Sequence, residues 1–413
     1  MIVHVLNGTL LDTESMSLVG ERHLTLVEDR VADVSTSPPS GHADRVLDAR
    51  GRFVLPGFID AHVHHVITTM DFARLARQSP VETALGMARL AEATLERGFT
   101  TVRDTGGHVT GLIRAIERGL CAGPRIVRAG RVISQTGGHG DVRADPEAGL
   151  CACRVLSNDF SHVADGPDAV RGAVRHELRD GSDFIKIMTS GGVASPTDPF
   201  DCVQYTAEEV RAAAIEADHR KTYVTSHAYQ PEAVSLAIEN GVRCIEHGNL
   251  IDAEVAARMS VLDVTMVPTL VTYRAMAEIG AKMGLPERNV TKNRGVFEAG
   301  QRSIGIAREA GVVLGFGTDL LGEAQSWQNR ELAIRAELEP ARDVLTSIYR
   351  TNARLCHAED EIGRLVPGAS ADLLVTGVDP LDDLAALSEP EKTLDVIVAR
   401  GRIVRDRLGA RAA

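Results

Sequence analysis

Between about residue 57 and residue 358 the chain repeats one pattern. A short apolar run of strand length gives way to a longer amphipathic stretch, and then to the next apolar run. The candidate strands are Phe58–His62, Thr101–Asp104, Arg125–Ala129, Phe184–Met188, Tyr223–Ser226, Cys244–Glu246, Val264–Val267 and Val313–Phe316. Helix-like segments such as Pro80–Glu96, Ala207–Asp218, Gln230–Asn240 and Arg302–Glu309 lie between them. Gly98, Gly181, Gly241 and Gly311 each follow a helical segment, where a left-handed residue closes a helix. Eight βα units over about 300 residues fit an α/β fold of the (β/α)8 TIM-like barrel kind. A doubly wound open sheet is the structural alternative.

The two ends read differently. Residues 1–56 are short strands and turns, with candidate strands at Val3–Leu6, His23–Glu28, Arg30–Ser35 and Arg52–Leu55. Residues 359–413 hold further strand-like runs, Ala371–Thr376 and Leu394–Ala399, the second followed by a turn at Arg400-Gly401-Arg402. The expected organisation is therefore a barrel over 57–358 and a small β-sandwich domain assembled from 1–56 and 359–413. Two Gly- and Pro-bearing loops, 134–148 and 189–201, are long enough to serve an active site.

Composition narrows the class of protein. The chain is 44% hydrophobic and 25% charged, an ordinary globular balance, and carries a net charge of −12. With no Lys/Arg-rich run, nucleic acid is not an expected partner. No long apolar run is present and the opening segment lacks a signal-peptide pattern, so no membrane association is expected. The six cysteines are Cys121, Cys151, Cys153, Cys202, Cys244 and Cys356. Their spacing suggests no disulfide framework, which is the usage of a reduced, cytoplasmic protein.

The chemistry-bearing residues fall at strand ends. His62 and His64 close the first candidate strand and, two residues apart, point to one side. Lys186 lies in the fourth, His227 and His247 follow the fifth and sixth, and Asp319 follows the eighth. In a barrel, the C-terminal strand ends converge on the active site. A lone lysine is costly to bury as a cation inside an apolar strand. Together with four histidines and a carboxylate it makes a metal-site inventory. No Gly-x-Ser-x-Gly elbow is present, which argues against a serine hydrolase.

The stretch Pro56-Gly57-Phe58-Ile59-Asp60-Ala61-His62-Val63-His64, the later run Gly363–Leu373, and the ordered set His-x-His, Lys, His, His, Asp carry a resemblance. The chain resembles the amidohydrolase superfamily, in its imidazolonepropionase-like and prolidase-like branch, which includes Xaa-Pro and Xaa-Arg/Lys dipeptidases. The resemblance covers nearly the whole chain. It implies that His62, His64 and Asp319 hold one divalent metal ion and that His227 and His247 hold a second, both expected to be Zn2+. It implies that Lys186, carboxylated on Nζ, bridges them. The implied reaction is hydrolysis of an amide or peptide bond by a metal-bridged hydroxide, with Asp319 as general base and then general acid. His139, in Gly137-Gly138-His139-Gly140-Asp141, and Tyr229 are implied substrate-binding residues.

The implied substrate is a dipeptide or N-acyl amino acid. The alternatives are a cyclic amide such as an imidazolone, a xenobiotic amide, urea or carbamate, and, remotely, a non-catalytic scaffold. A homo-oligomer is also implied. Arg103 and Asp104 are expected to pair with each other, and Glu323, Gln325, Trp327 and Gln328 to stand near the pocket mouth.

Overall fold

The computed structural model describes residues 1–75, 77–142, 160–195 and 198–408. Cys151 and Cys153, and parts of the two loops singled out above, lie outside the described residues.

The N-terminal segment forms β1 (Ile2–Asp12), β2 (Ser17–Val27), β3 (Arg30–Ser35), β4 (Arg45–Asp48) and β5 (Phe53–Pro56). The middle holds β6 (Phe58–Val63), β7 (Phe99–Asp104), β8 (Arg125–Arg128), β9 (Val132–Ser134) and β10 (Ser161–Val163). It continues with β11 (Ile185–Met188), β12 (Val224–Ala228), β13 (Cys244–His247) and β14 (Thr265–Val267). Last come β15 (Leu373–Thr376), β16 (Leu394–Ala399) and β17 (Arg402–Asp406).

Both chain ends build one eight-stranded sheet in the order β17-β16-β15-β5-β1-β2-β3, with β4 also on β1. The seam between the ends is the antiparallel pair β5–β15, with Val54 opposite Val375 and Leu55 opposite Leu374. Strand periodicity then sorts the side chains. Val54, Leu373, Val375, Val396 and Val398 pack with Val3, Val5, Leu24 and Leu26 on one face. Leu55, Leu374 and Ile397 point the other way, onto Phe58, Phe99, Phe316 and Tyr349 beneath the central strands. A one-residue slip in β5–β15 would exchange the two faces, so the pattern fixes the register.

The central strands are parallel, in the runs β6-β7-β8 and β9-β11-β12-β13-β14, with β10 beside β9. Backbone bonds join the runs. Asp183 N donates to Arg128 O at 2.8 Å, and Ala61 N donates to Phe316 O at 2.9 Å. The expected eighth strand, Val313–Phe316, makes only an isolated bridge, Leu314 to Met266. The Asn352 side chain takes part of the place of a strand partner, accepting from Phe316 N and donating to Phe316 O. Glycine is required just beyond, because a Cβ on Gly317 would stand 2.7 Å from both the His62 Cβ and a Val267 methyl. That close approach is what sets Asp319 beside His62.

Helix boundaries follow capping chemistry. Pro80–Glu96 begins with a reciprocal Ser79–Glu82 box, and Ala207–His219 with Thr206–Glu209. Gly98, Gly181, Gly241 and Gly311 all have positive φ, between 77° and 102°. Among the described residues, no helix is long and apolar enough to cross a membrane.

Candidate metal centre

Seven of the eight expected site residues line one cavity: His62, His64, His139, Lys186, His227, His247 and Asp319. The tightest group is His62, His64 and Asp319, whose nitrogen and oxygen atoms lie within 4.8 Å of one another. His62 Nε2 is 3.3 Å and His64 Nε2 3.2 Å from the same oxygen, Asp319 Oδ1.

Hydrogen bonds on the far side of each ring decide what faces inward. His62 Nδ1 meets Glu246 Oε2 at 2.7 Å, and His64 Nδ1 meets the Gly106 carbonyl at 3.0 Å. Carbonyl and carboxylate oxygens only accept, so each Nδ1 carries the proton and each Nε2 turns a lone pair towards Asp319. Two lone pairs and a carboxylate oxygen then face each other, and the Thr105 hydroxyl lies 3.4 Å from His64 Nε2. A cation or an added proton satisfies the meeting at Asp319, and two imidazole nitrogens with one carboxylate fit a divalent metal. The electrostatics agree. Burial opposes a charge on His62, yet Asp319 and Glu246 outweigh it and Lys186, and hold its pKa above the ordinary value. Burial likewise opposes the Asp319 charge, but His62, His64 and His247 hold its carboxyl well below the usual range.

His227 and His247 form a second group. Their ring centres are 4.6 Å apart, and His247 is 5.0 Å from His62. His227 Nε2 meets the Gly191 carbonyl at 3.0 Å, which leaves Nδ1 with the lone pair. His247 Nδ1 is 2.8 Å from Thr269 Oγ1. Burial and neighbouring positive groups push both rings well below the ordinary histidine value, so both are neutral and can act as ligands. His247 and Asp319 also hold left-handed backbone, with φ of 71° and 50°, a conformation uncommon outside glycine. Lys186 is 1% exposed, and burial pushes its pKa down despite Glu246 and Asp319.

His139 stacks on His227 with ring centres 4.1 Å apart, and burial lowers its pKa to about 4. Tyr229 packs against His227 and His247 but does not line the cavity, and its oxygen accepts from the Tyr273 hydroxyl at 3.0 Å.

Three expectations are corrected. Arg103 and Asp104 do not pair with each other: adjacent strand residues point to opposite faces. Arg103 instead reaches Glu246, the Ala61 carbonyl and Tyr223, while Asp104 holds the His65 ring at 2.9 Å. Nor do Glu323, Gln325, Trp327 and Gln328 line the cavity. Gln325 donates to the His64 carbonyl, Gln328 to Asp60, and Glu323 accepts from Met70 N, so three of them brace the strand end instead. The eighth strand is the third, as described above.

Glu246 is the residue the strand-end reading passed over. It is fully buried and ties Arg103, Thr225 and His62 together. A carboxylate inside the apolar run Cys244-Ile245-Glu246-His247 is the same kind of signal that singled out Lys186. Asp60 was also passed over, and it accepts from His62 N, Thr318 and Gln328.

The Amidohydrolase family model matches residues 53–404. The chain belongs to the amidohydrolase family. Members of this family are hydrolases acting on C–N bonds. The fold is similar to a prolidase solved in complex with N-methylphosphonate-L-proline, at 40% identity and a TM-score of 0.93, over 98% of this chain and all of that one. It is similar to a Xaa-Pro dipeptidase with methionine in its active site, at 30% identity and a TM-score of 0.85, over 98% of this chain and 99% of that one. Among curated proteins, ochratoxinase of Aspergillus niger is 26% identical over 358 residues, 83% of this chain and 74% of that protein. The prolidase-like resemblance read from the sequence is thereby shown.

Proposed function

We propose that this chain is a binuclear metal-dependent hydrolase of small amides, with dipeptides or N-acyl amino acids as substrates. The observation that carries the reading is the close meeting of His62 Nε2, His64 Nε2 and Asp319 Oδ1, beside Lys186, His227 and His247 on the same cavity. In this reading the architecture is a (β/α)8 barrel over 57–358 with a small β-sandwich from 1–56 and 359–413. The backbone bonds from β14 through 313–316 back to β6 support closure.

His62, His64 and Asp319 would hold one ion and His227 and His247 the other, with N6-carboxylated Lys186 between them; Zn2+ is the expected metal. Bound there, the ions would polarise the scissile carbonyl and lower the pKa of water. The protein's own groups do the rest. Asp319 accepts the proton of the attacking water on one carboxylate oxygen and delivers it to the leaving amine. Glu246 and the Gly106 carbonyl keep the two histidines in their ligand tautomers. His139, neutral near pH 7, supplies a hydrogen bond to a substrate oxygen, and Tyr229 another.

The cavity wall bears on the substrate. Ile67, Phe72, Val142, Phe160, Met188 and Leu321 line it, and among the described lining residues Asp319 is the only carboxylate. An apolar substrate side chain such as that of proline would pack against that wall. The prolidase and Xaa-Pro dipeptidase likenesses lean the same way.

The test is a library of dipeptides and N-acyl amino acids assayed with the zinc-loaded protein, beside cyclic imides and N-aryl amides. Cleavage of apolar dipeptides or N-acyl amino acids is expected. Cleavage of the cyclic or N-aryl amides alone would move the reading to the alternative substrates.

A further inference from the structure

The helix Leu270–Glu278 follows β14 directly, with Thr269 as its N-cap. Thr269 and Tyr273 stand one turn apart, so both side chains face the same way. That side is towards the candidate centre. Thr269 Oγ1 is 2.8 Å from His247 Nδ1, and the Tyr273 hydroxyl donates to Tyr229 at 3.0 Å. All four side chains are at most 2% exposed.

The two contacts have separate roles. Tyr273 spends its proton on Tyr229, so Tyr229 retains its own proton to give away. Thr269 Oγ1, accepting from His247 Nδ1, would leave Nε2 with the lone pair that a ligand needs.

We propose that Thr269 and Tyr273 are positioning residues that join the metal centre to the substrate contact. From one helix, Thr269 holds the His247 ring in its ligand tautomer, and Tyr273 makes Tyr229 a donor to a substrate carboxylate or carbonyl oxygen. This rests on the hydrolase reading above for the role of Tyr229. The helix that carries both residues is itself held. Glu331, from the neighbouring helix Arg330–Ala336, accepts from Leu270 N at 3.3 Å and Val271 N at 2.6 Å. Asn293 donates to the Tyr273 carbonyl at 2.7 Å.

The experiment is a double-mutant cycle of Tyr229→Phe and Tyr273→Phe in the zinc-loaded protein. Two quantities are read: kcat/KM on a cleaved dipeptide, and the Kd for N-methylphosphonate-L-proline by calorimetry. Each single change should cost about fivefold to tenfold, the size of one hydrogen bond. The double variant should be no worse than Tyr229→Phe alone, because Tyr273 acts only through Tyr229. At the other end, Thr269→Val should lower zinc affinity about tenfold to a hundredfold, and Thr269→Ser should restore it.

Multiplying losses in the cycle, with an active and probe-binding wild type, would overturn the positioning proposal and leave the hydrolase reading standing. So would a Thr269→Ser variant as weak as Thr269→Val. A wild-type protein that neither cleaves amides nor binds the probe would overturn both.

Discussion

The two halves of the histidine cluster are braced by opposite means. His62 and His64 are backed by charge: Glu246 holds His62, Arg103 holds Glu246, and Asp319 lies in front of both rings. His227 and His247 are backed by neutral groups: the Gly191 carbonyl, the Thr269 hydroxyl, and the stacked rings of His139 and Tyr229. The consequence shows in the direction in which each environment moves the pKa. His62 is pushed above the ordinary histidine value, against its burial, while His227 and His247 are pushed well below it. Charge bracing makes a site that demands a cation, and neutral bracing makes ligands that stay deprotonated while leaving polar hydrogens for a substrate.

Removing a group shared by both halves should hurt most. Asp319→Asn should lower kcat/KM by about 10^2 to 10^4-fold, the range for a positioned proton-transfer group. Lys186→Ala should abolish activity and reduce bound zinc in elemental analysis. Full activity in Lys186→Ala would break the binuclear reading.

The charged half should be the more fragile in stability. Glu246→Gln leaves the buried Arg103 cation without its counter-charge, which should cost about 3–5 kcal/mol in urea unfolding. Substitutions in the neutral half, Thr269→Val or Tyr229→Phe, should cost nearer to about 1 kcal/mol each. Equal losses in the two halves would erase the contrast.

His139→Ala should act more gently. It removes a cavity wall and a donor beside His227, so KM should rise about tenfold while zinc content is kept. An unchanged KM would remove His139 from the substrate contact.

A pH dependence outside the histidines is also expected. Burial raises Glu331 from near 4.5 to about 8, while Arg335 and two backbone amides pull it down. Below 4.5 both folded and unfolded chains carry the proton; between there and about 8 the folded state holds it more tightly. Stability should therefore fall as pH rises through that window, and Glu331→Gln should flatten the fall in thermal midpoint. A variant with the wild-type slope would contradict this assignment.

Much of this was legible in the sequence because the signals were periodic or chemically expensive. Strand and helix alternation gave seven of the nine central strands to within two residues, with β9 and β10 unforeseen, and the glycines at 98, 181, 241 and 311 marked helix ends. The residues that line the cavity stood out as polar groups at apolar strand ends. The misses have physical causes. Strand 313–316 lacks a full ladder because Asn352 satisfies its backbone. Arg103 and Asp104 are sequence neighbours that a strand turns to opposite faces. The links from Glu246 to His62 and from Thr269 to His247 span 184 and 22 residues, and no local pattern announces such contacts.

The central claim is that the two histidine groups hold two ions that the reaction requires. The most direct measurement is stepwise zinc titration of the metal-stripped protein with amide hydrolysis followed at each step. Activity should rise until two equivalents per chain are bound and then stop. Full hydrolysis by the stripped protein, or saturation of activity at one equivalent, would contradict it.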